Sequence, residues 1–374
     1  MLNKVTDLIE QKKINHSTPY FLIDKGRIVY NYLYFKHKLN FSERDIFYSV
    51  KANNNSEIIN ELKILGGGFE IASIFELQTL VNLDIDLNRI IFSNPVKIPN
   101  HIAGCYKMGV NKFAFDTYNE LYKISLNAPN SNVFLRLDVD NKGADWSLDK
   151  KFGANKENVT ELFLSAKKLK LKPYAITFHN GWNNTNIETW KNNLLFVKDV
   201  ILKCREDNIE LTTLNIGGGF PAHNIDQFKF LDQLAENINP ILDDLRTNHN
   251  INIIAEPGSF LVNYTGILVA KIYDIVKRGA SKWIFIDTGI MQGFPWVLSN
   301  LKYEIHYPYN NSEKSEKEPY FVTGPTNDSK DIFGTYYFPD SIRINDYLCI
   351  YPAGAYTISS NEYNGYKIPE IKFL

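Results

Sequence analysis

The stretch IFYSVKANNNSEIINELKILGGGFEIAS, residues 46–73, contains one complete unit of the fold. A short β-branched and aromatic run, IFYSV, is followed by apolar residues at helical spacing and then by a second run, FEIA. Strands of this kind that alternate with helical segments are typical of parallel α/β folds rather than of β-sandwiches. The unit therefore predicts a parallel sheet covered by helices.

The same alternation continues along two thirds of the chain. Eight predicted strands lie at 46–50, 69–72, 89–93, 112–115, 133–139, 174–178, 213–216 and 252–255. Helical spacing separates them at 56–65, 73–82, 118–126, 158–170, 187–207 and 227–248. Eight such units in about 220 residues predict an α/β fold of the (β/α)8 TIM barrel type, whose active site lies at the C-terminal ends of the strands.

The pattern changes after Gly266, where strand-like segments such as GILVAKIYDIV and DYLCIYPAG follow one another without long helices. This change predicts a β-rich C-terminal domain, a sandwich or a barrel. We expect the barrel to occupy 26–265 and the β domain 266–374, with 1–25 joining the latter. The polar segment 310–318 is predicted to be a solvated hairpin tip.

Composition limits the class of protein further. The chain has 374 residues, too many for one growing core, and 41 Lys+Arg against 42 Asp+Glu, which gives no basic field for nucleic acid. Cys105, Cys204 and Cys349 share no close spacing, so they predict buried small residues and no cysteine-based metal cage. Since no stretch of about 18 uncharged apolar residues occurs, we expect a cytoplasmic enzyme with no membrane contact.

Polar residues cluster where the predicted strands end, at the edge where a barrel carries its chemistry. They are Lys51, Glu70, Ser73, Asn94, Asp116, Arg136, His179, Gly217, Gly218, Gly219 and Glu256. Each alone is a weak signal, because any barrel rim is polar. Together they predict one catalytic site.

Four of these features suggest chemistry. Lys51 abuts FYSV, and desolvation there would favour the neutral amine used in Schiff bases; the alternative is a buried stem with its ammonium in water. The glycines of NIGGGFP can bring backbone N–H groups to a phosphate, although a simple tight turn is about equally probable. Glu256 and His179, each at a strand end, could form structural hydrogen bonds, but their rim positions favour function.

In order along the chain, FYSVKAN, GFEIAS, SNPVK, FHNG, NIGGGFP, AEPG, GPTND and AGAYT resemble motifs of a known family. They are similar to those of the fold-type III decarboxylases that use pyridoxal 5′-phosphate (PLP), the ornithine, lysine and diaminopimelate decarboxylase group. The resemblance runs from about Lys51 to Tyr356. It implies an alanine-racemase-like barrel followed by a β domain.

The resemblance implies roles for the barrel residues. Lys51 would form the internal aldimine with PLP, and Glu256 would pair with the pyridine nitrogen and keep it protonated, so that the ring acts as an electron sink. His179 would stack on the ring. Gly217–Gly219 would hold the phosphate with help from Tyr356.

Further roles are implied for Glu70 and Arg136, which would support the pyridine side of the site. Asp328, in GPTND, would reach the active site of the neighbouring subunit in a head-to-tail homodimer, so a monomer would be inactive. The small-molecule substrate would then contact residues of both subunits.

This chain departs from the family pattern at four places. Asn327 stands where the family has a catalytic cysteine, and an amide cannot donate a proton in that way. Ser259 replaces a phosphate-binding arginine, and Trp182 replaces a serine. IDTG places Asp287 and Thr288 where ornithine decarboxylases have an acid for the distal amine, so we expect substrate recognition through Asp287 and Thr288 and a substrate other than free ornithine.

The leading hypothesis is a decarboxylase of an L-amino or diamino acid that is free or conjugated, acting in a polyamine, siderophore or other specialised pathway. A non-catalytic homologue that binds a protein partner is the first alternative, and Ser259, Trp182 and Asn327 motivate it. An amino-acid racemase with the same fold and cofactor is the second alternative.

Overall fold

The computed structural model describes residues 17–148, 151–309, 316–358 and 362–374. These residues form two compact units, one of 29–261 and one that joins 17–28 to 262–374. The chain enters the second unit with strand β1 (Tyr20–Ile23), and helix α1 (Lys25–Lys38) follows. Residues 1–16 and most of the predicted hairpin tip at 310–318 lie outside the described residues.

The unit of 29–261 contains an eight-stranded parallel sheet in sequential order. Its strands are β2 (Phe47–Ser49), β3 (Gly68–Ile71), β4 (Ile90–Phe92), β5 (Lys112–Phe115), β6 (Asn132–Arg136), β7 (Lys172–Thr177), β8 (Thr213–Asn215) and β9 (Asn252–Ile254). The sheet closes on itself, because Ile46 and Ala255 form a parallel bridge and the Phe47 N–H donates to the Ala255 carbonyl at 2.9 Å. The predicted TIM barrel is confirmed, and all eight predicted strands are present.

Helices follow the barrel strands. They are α2 (Ser56–Ile64), α3 (Ile74–Asn82), α4 (Pro99–Met108), α5 (Tyr118–Asn127), α6 (Val159–Lys168), α7 (Ile187–Glu206), α8 (Gln227–His249) and the short α9 (Ser259–Val262). Side-chain caps fix several starts, since Asn55, Ser73 and Thr117 accept hydrogen bonds from the first turns of α2, α3 and α5. The helices at 25–38 and 99–108 were not predicted.

The barrel interior is filled by one layer of apolar side chains from six strands. Phe47, Ile91, Ala114, Phe134, Ala175 and Ile254 pack into a single buried cluster. A packed barrel has no pore, so polar side chains collect beyond the ends of its strands. This layer therefore positions the site of polar residues on the C-terminal side of the strands.

The other unit is rich in strands, as predicted. Its strands are β10 (Gly266–Arg278), β11 (Ser281–Ile286), β12 (Glu304–His306), β13 (Lys317–Thr323), β14 (Ile332–Pro339), β15 (Tyr347–Tyr351) and β16 (Glu370–Phe373). The path of hydrogen-bonded neighbours is β12-β15-β10-β11-β13-β14, and β1 pairs antiparallel with β10 and parallel with β16. The segment that precedes the barrel thus contributes a strand to this sheet. Strands β12 and β14 were not predicted.

The three cysteines are free and buried, as expected for small core residues. Burial raises the pKa of the Cys105 thiol to about 12 and, with Asp207 nearby, that of Cys204 to about 11. Neither thiol is therefore activated as a nucleophile. Over the described residues, no helix has the length and apolar character needed to cross a membrane.

Candidate active site

Lys51 lies in a 3-10 turn, Val50–Ala52, directly after β2. Its Nζ is 3.0 Å from Oε2 of Glu70, which is buried on β3, the neighbouring strand. The Lys51 side chain is 45% exposed, which agrees with the alternative of an ammonium that reaches solvent and not with a desolvated amine surrounded by apolar side chains. The reason is geometric: the turn directs the amine away from FYSV and toward a carboxylate beyond the strand ends.

Glu256 follows β9 and is buried. Its Oε1 accepts hydrogen bonds from Ser93 Oγ and from Asn215 Nδ2, both at 2.6 Å. Burial first, and then the nearby Glu70 carboxylate, raise the pKa of Glu256 to about 7, while the two donors and Lys51 act in the opposite direction. Glu256 therefore changes charge in the neutral pH range, where it can share a proton with a basic nitrogen.

Arg136 ends β6 and supplies a second positive charge. Burial lowers its pKa, while Glu256, Asp116 and Glu70 act in the opposite direction through their negative charges. A guanidinium keeps its charge in proteins. Arg136 consequently balances the carboxylates of this cluster.

His179 follows β7, and its Nδ1 accepts a hydrogen bond from the Gly181 N–H at 3.1 Å. Burial lowers the pKa of His179 well below its ordinary value, and the positive charges of Arg136 and Lys51 contribute. The imidazole is therefore neutral, with its proton on Nε2. A neutral ring with one face free of charge is suited to stack on a flat heterocycle.

The glycines after β8 are required by close contacts. A Cβ on Gly217 would lie 2.0 Å from the Phe178 carbonyl oxygen, and a Cβ on Gly219 would lie 2.3 Å from that of Gly181. Gly217 and Gly219 also have φ angles of 65° and 95°, which favour glycine. Gly217 already donates its N–H to Asn215 Oδ1 at 2.9 Å, so the amides available for an anion are those of Gly218 and Gly219.

Two positions that depart from the family motifs are Trp182 and Ser259. Trp182 stacks on Trp146 with ring centroids 4.9 Å apart, and its ring lies 5.9 Å from that of His223. Ser259 begins α9. At the position where the family motif has an arginine, this chain has the hydroxyl of Ser259. At the position where the motif has a serine, it has Trp182, which stacks on Trp146.

The remaining predicted residues belong to the β-rich unit. Asp328 Oδ2 accepts from the Tyr363 hydroxyl at 2.7 Å, and Asn327 Oδ1 accepts from Asn364 Nδ2 at 2.7 Å. The Lys330 N–H and the Tyr363 hydroxyl lower the pKa of Asp328, which is therefore ionised. A turn near the C-terminal end of the chain thus fixes the GPTND loop.

Asp287 and Thr288 follow β11 and are held within this unit. Asp287 Oδ2 accepts from the Thr18 hydroxyl at 2.5 Å, and its Oδ1 accepts from the Lys271 N–H at 2.8 Å. Thr288 is 1% exposed. Both oxygens of Asp287 therefore already have partners inside the β-rich unit.

Tyr356, the last predicted residue, has a φ of 57°. Residues other than glycine, asparagine and aspartate seldom adopt this conformation, and such strain is concentrated at functional sites.

Four residues of these clusters were missed by the sequence analysis: Ser93, Asn215, Tyr363 and Asn364. Ser93 and Asn215 sit at strand ends next to recognised motifs, SNPVK and NIGGGFP, and that position was the available signal. Tyr363 and Asn364 carry no such signal, because their role depends on a tertiary contact.

These residues fit PLP. A lysine amine lies beside a carboxylate, and burial raises the pKa of a second carboxyl group, that of Glu256, to about 7. A Cβ on Gly218 would lie 2.8 Å from the Glu256 carbonyl oxygen and 3.2 Å from His179 Nε2, so the glycine loop, the imidazole and Glu256 lie directly against one another. A barrel with this site defines the class of PLP-binding barrel enzymes.

The comparisons identify the family within that class. The family described as "Pyridoxal-dependent decarboxylase, pyridoxal binding domain" matches residues 25–263, more than half of the chain. The chain belongs to this family and is a PLP-dependent amino-acid decarboxylase of the ornithine, lysine and arginine decarboxylase group.

Individual relatives agree in length and fold. The lysine/ornithine decarboxylase of Selenomonas ruminantium is 28% identical, with 95% of this chain and 90% of that protein covered. The crystal structure of lysine decarboxylase from the same organism superposes with a TM-score of 0.87 at 26% identity, covering 99% of this chain and 95% of that one. Antizyme inhibitor 2 of Xenopus laevis is 28% identical over 93% of this chain and 79% of its own length.

Proposed function

We propose that the strand-end cluster of the barrel is the catalytic centre for decarboxylation of an L-amino or diamino acid. The observation that carries this proposal is the convergence of Lys51, Glu70, His179 and Glu256 from four strands. When bound, PLP supplies the electron sink for the electron pair left behind as CO2 departs. The unit of 29–261 then serves as the cofactor-binding domain.

Each side chain of the cluster has a separate task in this proposal. Lys51 Nζ binds the cofactor covalently, and Glu70 orients that amine from 3.0 Å. Glu256 holds a proton against the ring nitrogen, and the neutral His179 ring covers one face. The amides of Gly218 and Gly219 hold the phosphate, with Tyr356 and the seryl hydroxyl of Ser259 as further donors. Arg136 supplies a positive charge that interacts favourably with the carboxylates of the cluster.

Asn327 stands where the family has a cysteine and cannot protonate the product, so another residue must donate that proton. The Asn327 amide cannot supply a proton at neutral pH and is engaged with Asn364. His179 is neutral and donates through Nε2 only. We assign the proton to Lys51 Nζ, which would hold it as an ammonium within reach of the Glu70 carboxylate, 3.0 Å away.

The proposed substrate has a distal group that does not depend on a buried acid beside Gly289. Thr288 offers one neutral hydroxyl there, and the Asp287 oxygens are occupied by Thr18 and Lys271. Asp328 also has a partner on each oxygen, the Lys330 N–H on Oδ1 and the Tyr363 hydroxyl on Oδ2, but its pKa is lowered and it is only half-buried, so we propose it as the acid for a distal cation. The named substrates of the relatives, lysine and ornithine, support a diamino acid, and a conjugated amino acid fits the neutral Thr288.

The test is CO2 release from a panel of ornithine, lysine, diaminopimelate, arginine and acyl-conjugated amino acids. We expect a longer or conjugated substrate to have a higher kcat/KM than ornithine, by about tenfold, which corresponds to one ion pair or charged hydrogen bond. Activity restricted to ornithine would refute this assignment. A chiral assay on the same samples distinguishes decarboxylation from racemisation.

We also propose a homodimer in which Asp328 completes the site of the neighbouring subunit. Lys51→Ala and Asp328→Ala proteins, each nearly inactive, should regain about a quarter of wild-type activity after mixing and reassociation in equal amounts. Random pairing gives about one half mixed dimers, each with one intact site of two. The measurement is CO2 release alongside sedimentation.

The matched control mixes Lys51→Ala with Glu256→Gln. Both changes lie in the barrel, so a mixed dimer of these two proteins has no intact site and should stay inactive. Equal recovery in both mixtures, or a wild-type protein that is active as a monomer, contradicts the shared site.

A further inference from the structure

The Glu256 carboxylate is held in an asymmetric way. Ser93 Oγ, just after β4, and Asn215 Nδ2, at the end of β8, both donate to the same oxygen, Oε1, at 2.6 Å. All three side chains are buried. Because Oε1 accepts two short hydrogen bonds, a proton on this carboxyl group belongs on the other oxygen, Oε2.

The orientation of the Asn215 amide is fixed by the glycine loop that follows β8. Its Oδ1 accepts from the Gly217 N–H at 2.9 Å, so its Nδ2 must face Glu256. The Gly217 carbonyl in turn accepts from the Glu256 N–H at 2.8 Å. Asn215, Gly217 and Glu256 thus form a closed ring of hydrogen bonds between the glycine loop and the carboxylate.

We propose that Ser93 and Asn215 are positioning residues that reserve Glu256 Oε2 for the cofactor's ring nitrogen and keep the shared proton between those two atoms. This inference rests on the proposed function, in which Glu256 faces that nitrogen. It adds two residues to which the family motifs assign no role. It also makes Asn215 a physical link between the phosphate end and the nitrogen end of the site.

The charges around Glu256 show why two donors are needed. Glu70 on β3 opposes its ionisation, Lys51 after β2 and Arg136 on β6 favour it, and Tyr174 on β7 lies close enough to interact electrostatically. Burial is the largest effect and favours the neutral acid. A hydrogen bond to a charged group is worth about tenfold in the ionisation equilibrium, so each donor shifts the balance measurably.

Removal of a hydrogen-bond donor should raise the pKa of Glu256. Ser93→Ala removes a donor that stabilises the carboxylate, so the pKa of Glu256 rises and the neutral acid persists to higher pH. A neutral Glu256 cannot stabilise a protonated ring nitrogen. The pH below which PLP affinity falls should therefore rise by about one unit. Binding at pH 7 should weaken about fivefold, because the ionised fraction of Glu256 falls from about one half to about one eleventh.

The experiment measures PLP dissociation constants from pH 5.5 to 8.5 for cofactor-depleted wild type, Ser93→Ala and Asn215→Ala. The matched control is Ser49→Ala, because Ser49 Oγ donates to the backbone carbonyl of the same Glu256, at 3.2 Å. We expect Ser93→Ala to raise the pH at which PLP affinity falls, and Ser49→Ala to leave that pH unchanged. Asn215→Ala should raise that pH and also reduce the preference for PLP over pyridoxal.

A second measurement does not depend on cofactor binding. In the cofactor-free protein, the 13C resonance of the Glu256 carboxyl, assigned by its loss in Glu256→Gln, should titrate at higher pH in Ser93→Ala than in wild type. Unshifted titration in both Ser93→Ala and Asn215→Ala would overturn the inference while the proposed function stands. Wild-type protein that fails to bind PLP would instead overturn the proposed function.

Discussion

The Lys51→Ala variant should lose decarboxylase activity by about 10⁴-fold or more, the scale seen when a covalent catalyst is removed. Nζ of Lys51 is the amine that Glu70 holds at the strand ends, and an alanine leaves no atom to bind the cofactor covalently. The visible absorbance of lysine-bound cofactor should disappear together with CO2 release. Both are measured on the same preparation after dialysis against PLP.

The control for this result is Lys107→Ala, which removes an exposed lysine from the last turn of α4. It should retain wild-type absorbance and activity. A Lys51→Ala protein that kept a tenth of wild-type turnover and the same spectrum would show that another amine binds the cofactor.

The second large effect is expected for Glu256→Gln, with a loss of about 10²- to 10³-fold in kcat. Glutamine keeps an acceptor for Ser93 and Asn215, but it carries no negative charge and presents an N–H to the ring nitrogen. The nitrogen then stays unprotonated, and the ring becomes a weaker electron sink. Because the pKa of Glu256 in the wild type is about 7, wild-type activity should fall as the pH drops below neutrality. This fall in activity at acid pH should be absent from Glu256→Gln.

The comparison for Glu256→Gln is Glu161→Gln, an exposed acid in the first turn of α6. We expect a kcat within twofold of wild type and an unchanged pH profile. If Glu256→Gln had a normal kcat and still lost activity below neutral pH, another group would have to be the partner of the ring nitrogen.

The sequence was most informative where one physical pattern decides the structure. The barrel strands are short, apolar and separated by helices of regular period, so all eight were located to within a few residues. The helix at 99–108 begins with proline, and the strand at 332–339 includes Gly334 and ends at Pro339, so neither shows a clean period. Strand β12 has the sequence EIH, with one apolar residue between two exposed polar ones, and so lacks the apolar run that marks the short barrel strands.

The site shows a similar limit. Lys51, His179 and Glu256 were found because each directly follows a strand, but their surroundings depend on neighbouring strands. The exposure of Lys51 follows from a local turn, and the pairing of Ser93 with Asn215 on one oxygen joins side chains from β4 and β8. Contacts of this kind depend on the register of the closed sheet, which composition and spacing do not reveal.

The barrel closes at the seam between β2 and β9, and this position of the seam affects when the cofactor can bind. Lys51 and Glu256 come from the first and last barrel strands, and the seam beside them is joined by the Phe47 and Ser49 amides, which donate to Ala255 and Pro257. If PLP binds at Lys51 and Glu256 as proposed, a nascent chain would complete its cofactor site only after the last barrel strand has been synthesised and has paired with the first. The cofactor would then contact both sides of the seam, and its binding energy would add to the stability of the closed barrel.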